Sequence, residues 1–246
     1  HQDKPDFAPL PVLDASGEEA PRGTKQLLDE MGPEKFAKWV QDQKEVLFMD
    51  TTYRDAHQSL LATRVRTHDI MNAIHYTAVH VPQLFSFENW GGATFDVAYR
   101  FLDESPWDRL RQMREAAPNI LFQMLTRGAN AVGYENYPEN VVRNFIDRAA
   151  TNGIDVFRIF DCLNQLSHMT VTIDEVRKNN KLAEVALCYT GDILDPKRQK
   201  YNLKYYTDMA KELEKAGANI IAIKDMSGIL KPEAASVLVS ALKDAV

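Results

Sequence analysis

The sequence predicts an α/β fold, and specifically a (β/α)8 TIM barrel, from three observations. Short apolar runs recur along the chain, segments with helical spacing separate them, and each run ends in polar or charged residues. Repeated strand–helix units form parallel sheets with right-handed crossovers. Because polar groups follow several strands, a closed barrel mouth on which all of them converge is favoured over an open sheet.

Six apolar runs are candidates for the strands. They cover residues 46–49, 84–87, 120–125, 156–160, 185–188 and 220–223. The polar segments that follow them begin at Asp50, Glu88, Thr126, Asp161, Tyr189 and Lys224. Since a short buried strand excludes unpaired charges, we expect these polar groups to lie where the strands open into loops, around one shared site.

Turn and helix signals fit the same plan. Pro138 opens a predicted helix that Gly153 closes, Gly217 closes another, and Pro232 lies in the first turn of the last. Gly91-Gly92 follows the second run and is interpreted as a tight backbone turn. The alternative fold is an open doubly wound sheet, but its Gly-x-Gly-x-x-Gly signature is absent.

The number of units predicts a longer natural protein. Six βα units are found and the sequence stops at Val246 inside the sixth helix, whereas a closed barrel needs two more. Residues 1–23, rich in Pro, Asp and Glu, predict a linker or extended arm. Residues 24–45 predict two short helices, broken at Gly32-Pro33 and packed on the bottom or side of the barrel, which occupies residues 46–246.

Composition argues against two classes of function. A net charge of -6 without a basic stripe disfavours nucleic-acid binding, and no apolar run has the length of a membrane span. The start of the sequence does not resemble a signal peptide, so we expect an enzyme of the cytoplasmic type. Cys162 and Cys188 lack the spacing of a metal site and are predicted to be reduced core thiols.

Several long motifs resemble one family. They are DTTYRDAHQSLLATRVRT (50–67), ENWGGATFD (88–96), RGANAVGY (127–134), FRIFD (157–161), YTGD (189–192) and IKDMSG (223–228). Together with the lead-in at 23–26, they resemble the carboxyltransferase domain of pyruvate carboxylases over nearly the whole chain. The resemblance implies a biotin-dependent enzyme that transfers the carboxyl group of carboxybiotin to pyruvate, giving oxaloacetate.

The resemblance also implies cofactors and partners. A divalent metal, zinc or manganese, polarises the ketoacid, while biotin arrives on a separate carrier domain. ATP-Mg is used in a biotin carboxylase domain, which like the carrier domain belongs to the same polypeptide. The enzyme is expected to form a homo-oligomer, namely a tetramer.

Two residues match the metal site of that family. Asp55 matches one ligand, and Lys224 matches the lysine that is carried as a carbamate, that is, carboxylated; two histidine ligands are expected after Val246. A desolvated amine can lose its proton, add carbon dioxide and become an anionic oxygen ligand. The alternative for Lys224 is an ordinary strand-end lysine paired with Asp225.

Five further residues match the substrate and biotin positions. Arg127 matches the residue that binds pyruvate and stabilises its enolate, for which a guanidinium offers two parallel hydrogen bonds. Gln58 matches a substrate-binding glutamine, and Arg54 a cation that helps to place substrate and biotin. Asp96 and Tyr134 match residues at the biotin end of the pocket, where Asp96 is expected to orient an arginine.

Two other functions remain open. One is a sister enzyme, an oxaloacetate decarboxylase or transcarboxylase subunit, although the lead-in at 23–26 favours pyruvate carboxylase. The other is a noncatalytic barrel kept for assembly. Such a barrel should have lost Asp55, Arg127 or Lys224, and all three are present.

Overall fold

The computed structural model describes residues 12–246 and contains a six-stranded parallel sheet. The strands are β1 Met49–Asp50, β2 Ser86–Trp90, β3 Leu121–Thr126, β4 Val156–Ile159, β5 Leu182–Cys188 and β6 Ile220–Lys224. Each strand pairs with the next one in the chain, in the order β1-β2-β3-β4-β5-β6. This consecutive order confirms the predicted barrel-type winding, because the order of a doubly wound sheet reverses at a switch point.

Helices follow the strands throughout the described residues. They are α1 Thr24–Asp42, α2 His57–Leu61, α3 Thr67–His80, α4 Gly92–Phe101, α5 Pro106–Ala116, α6 Glu139–Thr151, α7 Thr170–Lys178, α8 Leu203–Lys215 and α9 Pro232–Ala245. Within residues 12–246, no helix combines the length and the apolar character needed to cross a bilayer. Of the predicted linker, residues 1–11 lie outside the described part of the chain.

The predicted helical lead-in forms α1, a helix that kinks at Gly32, where φ is 73°. A positive φ favours glycine, and Pro33 then restarts the helix as its first turn allows. Leu28 and Phe36 of α1 pack against apolar residues at the amino ends of β3, β4 and β5. The lead-in therefore covers the amino ends of these strands, the bottom of the barrel, which is one of the two positions that the sequence predicts.

Side chains alternate between two faces of the sheet, as expected for β-strands. The outer face forms the main core with the helices; its members include Phe87, Phe122, Phe157 and Val185. The inner face is apolar at the amino ends of the strands and polar further along, at Gln123, Arg158 and Glu184. The functional end of the barrel is therefore built from inward-facing polar positions.

The prediction that polar residues lie only after the strands is wrong for the second strand. Glu88 and Asn89 were expected after the second strand, but they lie within β2 and are buried. In a barrel, an inward-facing polar residue can remain inside a strand if neighbouring strands supply its partners. β1 is also shorter than its apolar run, and Val46 and Phe48 of that run are exposed.

Two smaller expectations also need correction. Gly91 has a φ of 166°, which is extended backbone, so it is not the left-handed turn that a tight glycine turn suggests. Cys162 is exposed, and only Cys188 is a buried thiol as predicted. The helix ends are confirmed: Gly153 and Gly217 have positive φ values of 122° and 106° just after α6 and α8.

Candidate active site

A cavity of about 370 Å3 lies at the carboxyl ends of the strands. Its walls come from the segment after β1 and from β2 to β6; they are Thr51, Arg54, Asp55, Gln58, Glu88, Leu125, Arg158, Ala186, Ala222, Ile223 and Lys224. Four of the predicted site residues, from opposite ends of the sequence, thus line one cavity. The carboxyl end of a barrel is where active sites form.

A larger cavity of about 1040 Å3 contains none of the predicted site residues. It lies towards the amino end of β6, between residues of α1, α8 and α9. Size alone does not identify a catalytic site, since the chemistry depends on convergent polar groups. The smaller cavity is therefore the candidate site.

The segment after β1 carries two adjacent charged residues that differ in exposure. Thr52–Ala56 forms a π-helical turn, started by the Asp50 carboxylate, which accepts a hydrogen bond from the Thr52 amide at 2.8 Å. The wide turn leaves the Arg54 side chain 8% exposed and the Asp55 side chain 54% exposed. π-helical turns are frequent at functional sites. Here the turn buries the guanidinium and leaves the carboxylate partly exposed, while both groups line the cavity.

Arg54 is the central cation of the cavity. Its Nη2 donates to Oε2 of Glu88 at 2.8 Å and lies 3.2 Å from Oδ1 of Asp55. Its Nη1 donates to Oε1 of Gln58 at 3.4 Å. A Cβ on Gly91 would lie 3.2 Å from Cδ of Arg54, so the missing side chain leaves room for the arginine.

Asp55 and Lys224 supply donors that fit a divalent metal. Asp55 offers anionic oxygens, and carboxylation would make the Lys224 nitrogen the root of another anionic oxygen ligand. Residues 12–246 contain no group of three His, Cys, Asp or Glu side chains that could hold a metal by themselves. The fit is therefore to part of a ligand set.

The alternative pairing of Lys224 with Asp225 is not what the structure shows. The Asp225 carboxylate accepts hydrogen bonds from the amides of Ile229 and Leu230, at 3.1 and 2.9 Å. The Lys224 Nζ lies 4.9 Å from the centre of the Phe160 ring, a cation–π contact. Asp225 thus stabilises the loop after β6, and Lys224 faces the cavity.

Arg127 lies beside the cavity, and it is not among the residues that line it. Its Nη1 donates to the carbonyl oxygen of Gly133 at 3.0 Å, and its guanidinium carbon lies 5.1 Å from the centre of the Tyr134 ring. Arg127 and Arg54 each approach one glycine of the Gly91-Gly92 pair. The absence of side chains at Gly91 and Gly92 therefore leaves room for both arginines.

The two residues predicted for the biotin end are also outside the cavity lining. Tyr134 is 69% exposed, with its ring against the Arg127 guanidinium. Asp96, on α4, pairs with the exposed Arg100 one helical turn later at 3.0 Å. The pKa of Arg100 is raised, mainly by a hydrogen bond with Tyr99 and to a lesser extent by the attraction of the Asp96 carboxylate.

Sequence reasoning assigned no role to two residues that line the cavity, Glu88 and Arg158. Arg158 in β4 and Glu184 in β5 are each the one charged residue of an otherwise apolar strand, whereas Glu88 shares β2 with Ser86 and Asn89. A lone charge at an inward-facing strand position is the signal that could have identified them. Burial opposes the charge of Arg158, but Glu184 and then Glu88 outweigh it and raise its pKa.

His57 forms a hydrogen bond to the segment that carries Arg54 and Asp55. Its Nε2 donates to the carbonyl oxygen of Tyr53 at 2.8 Å, and burial lowers its pKa. The imidazole is buried at the start of α2. It packs within the protein and does not line the cavity.

Comparison with known proteins gives a consistent result. No family model matches the chain. Pyruvate carboxylase of Bacillus subtilis is 60% identical over 246 residues, which are 100% of this chain and 21% of that protein. Pyruvate carboxylase of Staphylococcus aureus is 56% identical over 246 residues, 99% of this chain and 21% of that one. The chain thus spans about a fifth of the length of these curated relatives.

Solved structures of the carboxyl transferase domain of Rhizobium etli pyruvate carboxylase are similar in fold. The structure with pyruvate and biocytin has a TM-score of 0.91 and 59% identity, over 92% of this chain and 38% of that one. The structure with oxamate and biotin has a TM-score of 0.92 and 56% identity, over 100% of this chain and 41% of that one. Both the sequence and the fold are therefore shared along the chain.

Proposed function

We propose that this chain, which is homologous along its whole length to the carboxyltransferase domain of pyruvate carboxylases, transfers a carboxyl group from carboxybiotin to pyruvate. The observation that carries the proposal is the convergence of Arg54, Asp55, Gln58 and Lys224 on one cavity at the carboxyl ends of the strands. The product is oxaloacetate.

Arg127 and its neighbours are assigned to the ketoacid. Pyruvate loses a methyl proton, which ends on the biotin nitrogen that has released its carboxyl group, and the resulting enolate has a negative oxygen that needs fixed donors. The Arg127 guanidinium is fixed by Gly133 and by the Tyr134 ring, and it keeps other N–H groups for substrate oxygens. Gln58 and Arg54 add donors from the wall of the cavity.

Asp55 and the carboxylated Lys224 would hold the divalent metal, zinc or manganese, together with ligands beyond those described. When bound, the metal supplies a Lewis acid that polarises the ketone oxygen of pyruvate. The carboxylate of Asp55 reaches the same cavity from the segment after β1 as Lys224 does from β6. The two residues therefore fix the position of that end of the site.

Asp96 and Tyr134 are assigned to the biotin end. The Tyr134 ring is exposed next to Arg127, so a flat ring system delivered from solvent could reach it before the cavity. In this proposal, the carrier domain and the biotin carboxylase domain, which uses ATP-Mg, belong to the same polypeptide as the carboxyltransferase. The full-length protein forms a homo-oligomer. Support comes from relatives about five times as long as this chain.

The experiment is a test of the full-length enzyme for oxaloacetate formation from pyruvate, bicarbonate and ATP. Formation that depends on ATP, and that stops when avidin sequesters biotin, supports a pyruvate carboxylase. A protein that only decarboxylates oxaloacetate, with no ATP-dependent reverse reaction, would favour the sister enzyme. A folded protein that performs neither reaction would favour the noncatalytic barrel.

A further inference from the structure

Three contacts hold the Arg54 guanidinium, and they differ in what they can fix. Asp55 and Gln58 belong to the same segment after β1 as Arg54 itself, so they move with it. Glu88 belongs to β2 and makes the shortest contact, 2.8 Å from Nη2. The Glu88 side chain is 1% exposed, so water does not compete for this bond. Glu88 therefore ties Arg54 to the sheet.

Glu88 is itself held by a second arginine. Its other oxygen, Oε1, accepts a hydrogen bond from Nη1 of Arg158 at 3.3 Å. Arg158, on β4, donates from Nε to Oε1 of Glu184 on β5 at 2.6 Å. Charged hydrogen bonds of this length are among the stronger polar contacts in proteins. The carboxylate that holds Arg54 thus has little freedom to rotate.

The chain of contacts returns to the strand on which it starts. Oε2 of Glu184 accepts from Nε2 of Gln123 on β3 at 2.6 Å, and Oε1 of Gln123 accepts from the hydroxyl of Ser86 on β2 at 2.8 Å. Ser86 and Glu88 lie on the same strand. The circuit therefore crosses four strands and closes on β2. Such a circuit resists displacement of any one member.

Charge is balanced within the circuit and its extension to Arg54. Two carboxylates, Glu88 and Glu184, face two guanidiniums, Arg54 and Arg158. Buried ion pairs are weak evidence for stability, because well-packed apolar residues often serve as well. The amino ends of the same strands are in fact filled by apolar residues. A polar circuit that reaches the cavity wall at Glu88 and Arg158 therefore calls for a reason other than core stability.

We propose that Glu88, held by Arg158 and Glu184, is a positioning residue that sets the orientation of the Arg54 guanidinium in the carboxyltransferase site. This inference rests on the proposed function. Arg54 and Glu88 both line the cavity, and Glu88 acts through the guanidinium that it holds. The circuit transmits the rigidity of the sheet to a residue in the π-helical turn after β1.

A double-mutant cycle in the full-length enzyme separates this role from a purely structural one. The variants are Glu88→Gln, Arg54→Lys and the two combined, each assayed for kcat and KM in pyruvate carboxylation. We expect Glu88→Gln to lower kcat on the order of tenfold to a hundredfold, the range for residues that orient a functional group. In the Arg54→Lys background, the same change should cost less than about threefold, because the guanidinium that Glu88 orients is already gone.

Asp155→Asn is the matched control. Asp155 is a buried carboxylate paired with Arg114 at 2.6 Å, but it precedes β4 at the amino end of the sheet. Its loss should lower thermal stability without changing kcat of the folded enzyme. If Glu88→Gln does not fold, Glu88→Asp keeps the charge, withdraws the carboxylate by one methylene and should show the same cancellation with Arg54→Lys.

Two results would overturn the positioning role: an unchanged kcat in folded Glu88→Gln or Glu88→Asp, or the same fold-loss from either change in both Arg54 and Lys backgrounds. The activity of the parent enzyme distinguishes a failure of the proposed function from a failure of the positioning role. If the parent does not carboxylate pyruvate, the proposed function fails. If the parent is active and the cycle is additive, only the positioning role fails.

Discussion

Gly92 and Arg127 are in close contact because Gly92 has no side chain. A Cβ at Gly92 would lie 3.3 Å from the guanidinium carbon of Arg127 and 3.0 Å from the carbonyl oxygen of Val132. The first residue of α4 therefore forms one side of the space that Arg127 occupies. Gly133 and Tyr134 form the others.

Replacement of Gly92 by alanine should move Arg127. The added carbon must displace the guanidinium or the backbone at Val132, and a misplacement of about 1 Å can cost on the order of a hundredfold in rate. We expect Gly92→Ala to lower kcat by roughly tenfold to a hundredfold, with little change in the unfolding temperature. Gly17→Ala, remote from the site, is the control: no atom lies within 4 Å of the new Cβ, but the φ of 82° strains alanine, so we expect a loss of stability with kcat unchanged.

Arg127→Lys should lower turnover on the order of a hundredfold or more, the cost of losing one fixed donor to an oxyanion. Lysine keeps the charge but cannot bond Gly133, stack on Tyr134 and offer paired N–H groups together. Arg148→Lys, on the exposed face of α6, is the matched control. Steady-state kinetics of both variants measure the change in turnover. A wild-type rate for Arg127→Lys would show that Arg127 is not part of the site.

Tyr134 should act through its ring. Tyr134→Phe keeps the cation–π contact with Arg127, whereas Tyr134→Ala loses it, a contact worth about 0.5–1 kcal/mol at an exposed position. We expect Tyr134→Ala to raise the KM for free biotin several-fold in the oxaloacetate–biotin transfer assay and Tyr134→Phe to raise it less. Equal effects of the two changes would assign the role to the hydroxyl.

The barrel could be predicted from the sequence, whereas the polar circuit could not. Apolar runs that end in polar groups mark parallel strands, while the assignment of Asp55 and Lys224 to a metal came from the resemblance to the carboxyltransferase family and stays a prediction. Arg158 and Glu184 stand alone among apolar neighbours, so each looks like an interruption, and Glu88 looks like the polar end of its strand. Their roles depend on which strands are adjacent and on which side chains face inward, and both are properties of the folded sheet.

Asp155 should stabilise the fold above acidic pH. Burial opposes its ionisation, but Arg114, Lys181 and Lys25 outweigh burial and hold its pKa below the ordinary 3.8. A carboxyl whose pKa is lowered in the folded state stabilises the protein above that value, and this stability is lost as the pH falls through the folded pKa. At neutral pH, Asp155→Asn should cost about 3–5 kcal/mol, the range for breaking a buried pair.

The difference in unfolding temperature between the parent and Asp155→Asn should narrow as the pH falls below about 4, because only the parent loses an ionised partner there. Thermal unfolding of the parent and of Asp155→Asn across an acid pH series measures this difference. A constant difference at all pH values would mean that packing, and not the charge of Asp155, sets the loss.

The two cysteines should differ in reactivity. Cys162 is exposed, whereas burial raises the pKa of Cys188 to about 11. Since the thiolate is the reactive form, iodoacetamide at about pH 8 should alkylate Cys162 quickly and Cys188 only after unfolding. Peptide mass spectrometry of the modified full-length enzyme reports each site. Equal labelling of both in the folded protein would contradict the burial of Cys188.

The most direct measurement is carboxyl transfer from oxaloacetate to free biotin by the full-length enzyme, because it needs the carboxyltransferase site alone. The parent and Lys224→Met should be compared together with their metal content by elemental analysis. We expect the parent to transfer the carboxyl group and Lys224→Met to lose both the transfer and the metal, while ATP cleavage at the separate biotin carboxylase site persists. Transfer at the parent rate by a Lys224→Met enzyme with full metal occupancy would contradict the assignment of this cavity as the site.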